Sequence, residues 1–283
     1  MTSWLHVPRK LRSEEGPRIR NYFLRLEDGE FASHFTALFN ASVFSLVNSR
    51  ELYVYDKANP ISATYALLED TFEPAQGIRY VSEMMSGVTV LTGNSDSRYA
   101  GFLAQIPKDT LRSNAAPVLR WSQTTLDSIT AIAKAQNLPA KFDVGVHIAS
   151  RNRMDVIRPP TVASYVSAVE DALRGQKLKE PAVFVLASDP ANFFEFQSLA
   201  PKTWKLFQVT PASSTIRGIN VSSFNRQNVA VRLNAYREHL TELYCMQQCA
   251  AIIGTLSNDI GKFLYLTATG PTTFKSLDVQ KYS

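Results

Sequence analysis

The apolar positions of this 283-residue chain recur with two alternating periods, and that alternation predicts its architecture. Asn21 to Leu26 is an apolar run of strand length. After the charged turn around Gly29, the positions Phe31, Phe35, Leu38, Phe39, Ser42, Val43 and Leu46 repeat with helical spacing, and Glu51 to Tyr55 is the next strand. Strand, glycine loop, helix, strand is a βαβ unit and calls for a parallel sheet. Asp56 to Pro60 reads as a turn, Ser62 to Glu69 as a short helix, and residues 74–100 as loop-rich with one strand at Gly87 to Leu91. One amphipathic helix is expected from Pro117 to Gln136, its apolar face built by Leu119, Leu126, Ile129, Ile132 and Ala133.

Beyond the turn at Asn137 to Lys141 the alternation starts again. Strands are predicted at Phe142 to Ile148, Ala182 to Ala187, Leu206 to Val209 and Ala250 to Ile253. Helices are predicted at Pro160 to Leu173, Asn192 to Leu199 and Asn225 to Gln248, and from near Ser257 or Asn258 onward. The expectation is an α/β protein of two Rossmann-like domains, 1–140 and 141–283, with parallel sheets facing across a cleft. Ligands of such sheets bind outside the carboxyl ends of the strands.

Composition and charge narrow the partners. At 45% hydrophobic and 19% charged residues, disorder is excluded. The net charge of +5 is unevenly placed, with 15 Lys and Arg against 15 Asp and Glu in residues 1–143, leaving 15 against 10 in the rest. That excess is too scattered for a nucleic-acid binder but suits a half that holds a small polyanion. Pro8, Pro17 and many charges interrupt the first 20 residues, and no apolar run is long enough to span a bilayer, so the expectation is a soluble, cytoplasmic protein. Cys245 and Cys249, four apart on a predicted helix, read as buried thiols in a reducing compartment.

Candidate chemistry collects at three predicted strand ends in the second half: His147 with Ser150, Arg151 and Arg153; Ser188 with Asp189; and the loop Thr255 to Asp259. Adjacent strands of a parallel sheet bring these ends side by side. The third is a strand, polar loop and helix, where unpaired N–H groups and the helix dipole favour a phosphate, although a Ser or Thr there also serves as an ordinary N-cap. Asp189 before Pro190 reads equally as the cap of the next helix. Glu242, among apolar neighbours, either is solvated, or pairs with Arg237 or His239, or accepts N1–H and N2–H from a guanine edge.

The segments VGVHIASRNRMD (144–155), PPTVASYVSAVEDAL (159–173), VFVLASDP (183–190), LTELYCMQQCAAIIGTLSNDIGKFLYL (240–266) and FKSLD (274–278) follow one another as in a known family. Their order resembles the C-terminal half of the α1,6-fucosyltransferases and rhizobial nodulation fucosyltransferases. More distantly it is similar to the protein O-fucosyltransferases. DGEFASHF (28–35) and ELYVYD (51–56) resemble the family's opening strand, loop and helix.

The resemblance implies a GT-B fold, a GDP-sugar held mainly by the second domain, and inverting transfer with no metal and no cofactor. By position, His147 corresponds to the family histidine at the nucleotide, Glu242 to the carboxylate that reads guanine, and Asp189 to an aspartate at a strand end. Ser257, Asn258 and Asp259 correspond to the diphosphate loop, and Thr255 stands just before them. Ala149 and Ser150 stand where the family has two arginines, so Arg151 or Arg153 is expected to neutralise the leaving diphosphate, and Asp155 to act as base for the acceptor.

The resulting expectation is transfer of L-fucose from GDP-fucose to a saccharide hydroxyl, in a bacterium or a large DNA virus. Its partners are the nucleotide-sugar donor and the saccharide acceptor, with no nucleic acid and no membrane span. The alternatives are a UDP-sugar such as UDP-xylose on the same fold, and a non-catalytic nucleotide- or saccharide-binding protein.

Overall fold

In a computed structural model the described residues are 21–26, 31–55, 67–83, 85, 88–92, 103, 105–149, 159–211, 224, 226–268 and 272–279. Ser150, Arg151, Arg153 and Asp155 lie outside them. The chain divides into two units, Met1–Thr125 with Lys281–Ser283, and Leu126–Gln280.

In the first unit β1 (Asn21–Arg25), β2 (Glu51–Tyr55), β3 (Ile78–Tyr80) and β4 (Thr89–Thr92) form a parallel sheet in the order β3-β2-β1-β4. Helix α1 (Phe31–Val47) buries Phe35, Leu38, Phe39 and Val43, as its spacing predicts. It also buries Thr36 and Ser42, whose hydroxyls bond back to the carbonyls of Ser33 (3.1 Å) and Phe39 (2.7 Å), so polar residues enter the core already paired. Helix α2 is Leu67–Thr71.

The single helix expected over 117–136 is two helices, α3 (Lys108–Val118) and α4 (Gln123–Ala135). Pro117 lies in the last turn of α3, and the chain then leaves the helix so that Trp121 stacks on Phe72, with ring centroids 5.2 Å apart. Ser122 restarts it, its hydroxyl accepting from the Thr125 amide at 3.2 Å and donating to the Asp70 carbonyl at 2.6 Å. Neither α3, whose segment is mostly polar, nor the three-residue β3 gave a periodic signal.

In the second unit β5 (Phe142–Ile148), β6 (Ala182–Ala187), β7 (Lys205–Phe207), β8 (Cys249–Gly254) and β9 (Thr273–Ser276) are parallel in the order β7-β6-β5-β8-β9. The helices are α5 (Val162–Leu173), α6 (Pro190–Leu199), α7 (Val229–Gln247) and α8 (Asp259–Thr267). From β5 the chain moves outward through β6 and β7, then returns to β8 and β9 on the other side. The strand order therefore reverses between β5 and β8, which makes their carboxyl ends the crevice of the sheet.

One face of β5, with Val144, Val146 and Ile148, packs into a core shared with Val166 and Val169 of α5 and Phe193 and Phe196 of α6. On the other face Gly145 lets α7 approach, since a Cβ there would lie 2.7 Å from Cys249 Sγ and 2.9 Å from Met246 Sδ. The two cysteines do not share a helical face as the spacing suggested. α7 stops at Gln247 and Cys249 opens β8, its thiol donating to the Cys245 carbonyl at 3.3 Å; both are free and buried. Burial and the nearby Glu242 carboxylate push the Cys245 thiol up to about 12. Among the described residues no helix is long and apolar enough to cross a membrane.

Candidate functional site

His147 stands at the carboxyl end of β5, in register with Leu186 of β6, on the face that Gly145 opens toward α7. It is 0% exposed and neither ring nitrogen has a hydrogen-bond partner among the described residues. Burial, with a smaller contribution from the charge of His239, lowers its pKa to about 3, so the ring is neutral at any ordinary pH. A buried neutral imidazole with both nitrogens unpaired is an unfavourable resident of an apolar strand and a ready hydrogen-bonding group for a polar ligand.

Glu242 reaches the same neighbourhood from α7. Because α7 leads directly into the amino end of β8, which is parallel to β5, the helix runs from the carboxyl edge of the sheet toward the amino edge, and its earlier turns lie nearer the carboxyl edge. His239, Glu242 and Met246 fall on one helical face, and Met246 abuts Gly145, so Glu242 and His239 lie progressively nearer the His147 end. Glu242 is 9% exposed, and its carboxylate is 3.2 Å from His239 Nδ1. Of the two structural pairings the sequence left open for Glu242, the structure shows the one with His239.

The turn from β8 to α8 supplies the third part. Thr255 is fully buried, and the equally buried Tyr165 of α5 turns its hydroxyl toward the Thr255 hydroxyl and the Ala149 amide. Burial above all, and the Asp278 charge, push the Tyr165 phenol up, so it remains a proton donor. Asn258 caps α8, accepting from the Ile260 amide at 2.9 Å, and Asp259 opens the helix. Gly261 lets α8 sit against the turn: a Cβ at this position would lie 1.7 Å from the Thr255 carbonyl oxygen. The Leu256 and Ser257 amides and the Ser257 hydroxyl all donate to the carboxylate of Asp278.

Asp189 differs from these. It is exposed and caps α6, accepting from the Ala191 amide at 2.9 Å, with Pro190 at the first helical position. The structure thus places His147 and Thr255 as buried polar groups at the β5 and β8 ends, keeps Glu242 on α7 beside His239, and gives Ser257, Asn258 and Asp189 partners within the chain. Three residues were not singled out in the sequence: Tyr165, His239 as the neighbour of His147, and Asp278. Asp278 closes the FKSLD segment, and Tyr165 lies within the buried stripe of α5 between Val162 and Val169. Among the described residues no group of His, Cys, Asp and Glu is arranged to hold a metal.

No protein-family model and no curated protein matches the chain. Solved structures do. A structure of the NodZ alpha-1,6-fucosyltransferase soaked with GDP-fucose is similar over 87% of this chain and 92% of its own, at 12% identity and a TM-score of 0.53. A Bradyrhizobium NodZ structure gives 87%, 91%, 10% and 0.54 in the same terms. A mutant of Arabidopsis thaliana FUT1 in complex with GDP is similar over 94% of this chain and 73% of its own, at 9% identity and a TM-score of 0.54. With two all-parallel sheets in an α/β chain, the protein has the fold of these fucosyltransferases, the GT-B class.

Proposed function

We propose that the protein is a glycosyltransferase that binds a GDP-sugar at the β5 and β8 ends and transfers the sugar, L-fucose, to a saccharide hydroxyl with inversion and without a metal. The observation that carries this reading is the set of buried polar groups at the strand-order reversal, His147 with both ring nitrogens unpaired among the described residues, in a fold shared with a protein soaked with GDP-fucose and one in complex with GDP. Each unpaired buried group costs about 1–3 kcal/mol in the free protein and gains a partner when a polar ligand arrives. Glu242, oriented by His239, is the acceptor for guanine N1–H and N2–H, and Thr255 and Tyr165 are neutral donors for the phosphate end. Asp155 is the base for the acceptor, and Arg151, Arg153 and Ser150 stand on the segment that follows β5, where a cation meets the leaving diphosphate.

Titration calorimetry tests the donor. Glu242→Gln turns one acceptor into a donor facing a donor, and Glu242→Ala leaves two base donors unpaired. Both are expected to weaken GDP by about 2 kcal/mol or more while leaving UDP, already weak, nearly unchanged. Equal small losses for the two nucleotides would remove guanine from the reading. Release of free sugar or transfer from GDP-fucose separates an enzyme from a binding protein.

A further inference from the structure

Asp278 closes the β8–α8 turn from a position 21 residues beyond Ser257. One carboxylate oxygen accepts from the Leu256 amide at 2.9 Å and from the Ser276 hydroxyl at 2.7 Å. The other accepts from the Ser257 amide at 3.2 Å and from the Ser257 hydroxyl. Burial pushes this carboxyl up, but the donors from Ser257 and Ser276 and the Leu256 and Val279 amides outweigh it and hold it below the usual carboxylate range. Strand β9 delivers the group: Ser276 is in register with Gly254, and the Leu277 amide donates to the Gly254 carbonyl at 2.9 Å.

Two consecutive amides and a hydroxyl converging on one anion form a nest of the kind that holds phosphates. Here the occupant is part of the chain. Because a hydroxyl has a single proton to donate, Ser257 cannot serve Asp278 and a diphosphate at once, and neither can the two amides. The buried hydroxyls left at this edge are those of Thr255 and Tyr165, which face each other and take no part in holding Asp278.

We propose that Asp278 is a positioning residue for the phosphate end of the ligand. It fixes the turn so that the Thr255 hydroxyl is presented beside Tyr165, and it makes no contact with the ligand itself. The inference rests on the reading of this edge as a nucleotide-diphosphate site.

The test is calorimetric titration of wild type, Asp278→Asn and Ser276→Ala with guanosine, GDP and inorganic pyrophosphate. Asp278→Asn keeps the shape and turns one acceptor into a donor facing the Ser257 donors. It is expected to weaken GDP and pyrophosphate by about tenfold or more while guanosine changes by less than about twofold. Ser276→Ala removes one support of the carboxylate and should show the same pattern with a smaller factor, which keeps the test open if Asp278→Asn does not fold. Equal losses for guanosine and GDP, or no loss for either, overturn the proposal. A wild type that takes pyrophosphate but neither guanosine nor GDP sinks the nucleotide reading and leaves Asp278 judged by pyrophosphate alone. A wild type that takes neither GDP nor pyrophosphate overturns both.

Discussion

The turns β6–α6 and β8–α8 leave the same edge of the second sheet with similar local chemistry, an Asx residue capping the helix that follows. In the first, Asp189 is exposed and its partner is two residues away. In the second, Asn258 does the same work while Thr255 and Leu256 are buried, Tyr165 faces the Thr255 hydroxyl, and Asp278 reaches in from β9. A cap alone therefore does not distinguish a functional turn from a structural one. The difference lies in contacts that are remote in sequence, from α5 through Tyr165 and from β9 through Asp278.

The largest effect expected from breaking this contrast is at Gly261. A methyl group 1.7 Å from a backbone carbonyl cannot be accommodated by moving a side chain, so α8 must shift away from the β8–α8 turn. Gly261→Ala is expected to cost about 3 kcal/mol or more, read as a large drop in melting temperature. Gly145→Ala meets only the ends of the Met246 and Cys249 side chains and should cost less. A Gly261→Ala protein that melts like wild type would mean that the turn is loosely held.

The next effect is a pH dependence carried by His147. Its folded pKa of about 3 lies below the unfolded value of 6.5, so the unfolded chain binds the proton more readily. The stability that the neutral ring carries is complete above pH 6.5 and is lost as pH falls toward 3, by about 1.4 kcal/mol per pH unit inside that window. Asp278, held low, adds a loss of the same sign at more acid pH, as its carboxylate becomes protonated. Melting curves from pH 7 to pH 5 should slope for wild type and flatten for His147→Phe, whatever the level of the variant at pH 7. A flat wild-type curve would show that the imidazole keeps its proton in the fold.

The period of the apolar residues made the parallel strands of both sheets legible, because buried strands such as Ala182–Ala187 carry uninterrupted apolar runs. It missed β3 and β9, which are three and four residues long with half-exposed patterns. The break at Ser122 was read through, because apolar residues at helical spacing lie on either side of it. In the candidate site, His147 and Glu242 stood out as polar residues among apolar neighbours, and Thr255 as part of the polar loop between a strand and a helix. Asp278 could not be found that way: it lies in a polar tail, and only the register of β9 beside β8 shows that its carboxylate meets the Leu256 and Ser257 amides.

The smallest effect sharpens the comparison from the other side. Asp189→Ala removes one acceptor from the Ala191 amide at the start of α6 and a negative charge from the positive end of that helix. An exposed cap of this kind is worth about 1 kcal/mol, a shift of a few degrees in melting temperature, and Asp189→Asn should recover most of it because the amide oxygen still caps. Neither variant should change GDP or pyrophosphate affinity if the capping role is all that Asp189 has. A loss of GDP affinity in Asp189→Asn, with the melting temperature unchanged, would instead make the β6–α6 turn a second ligand contact, and the contrast between the two turns would become one of degree.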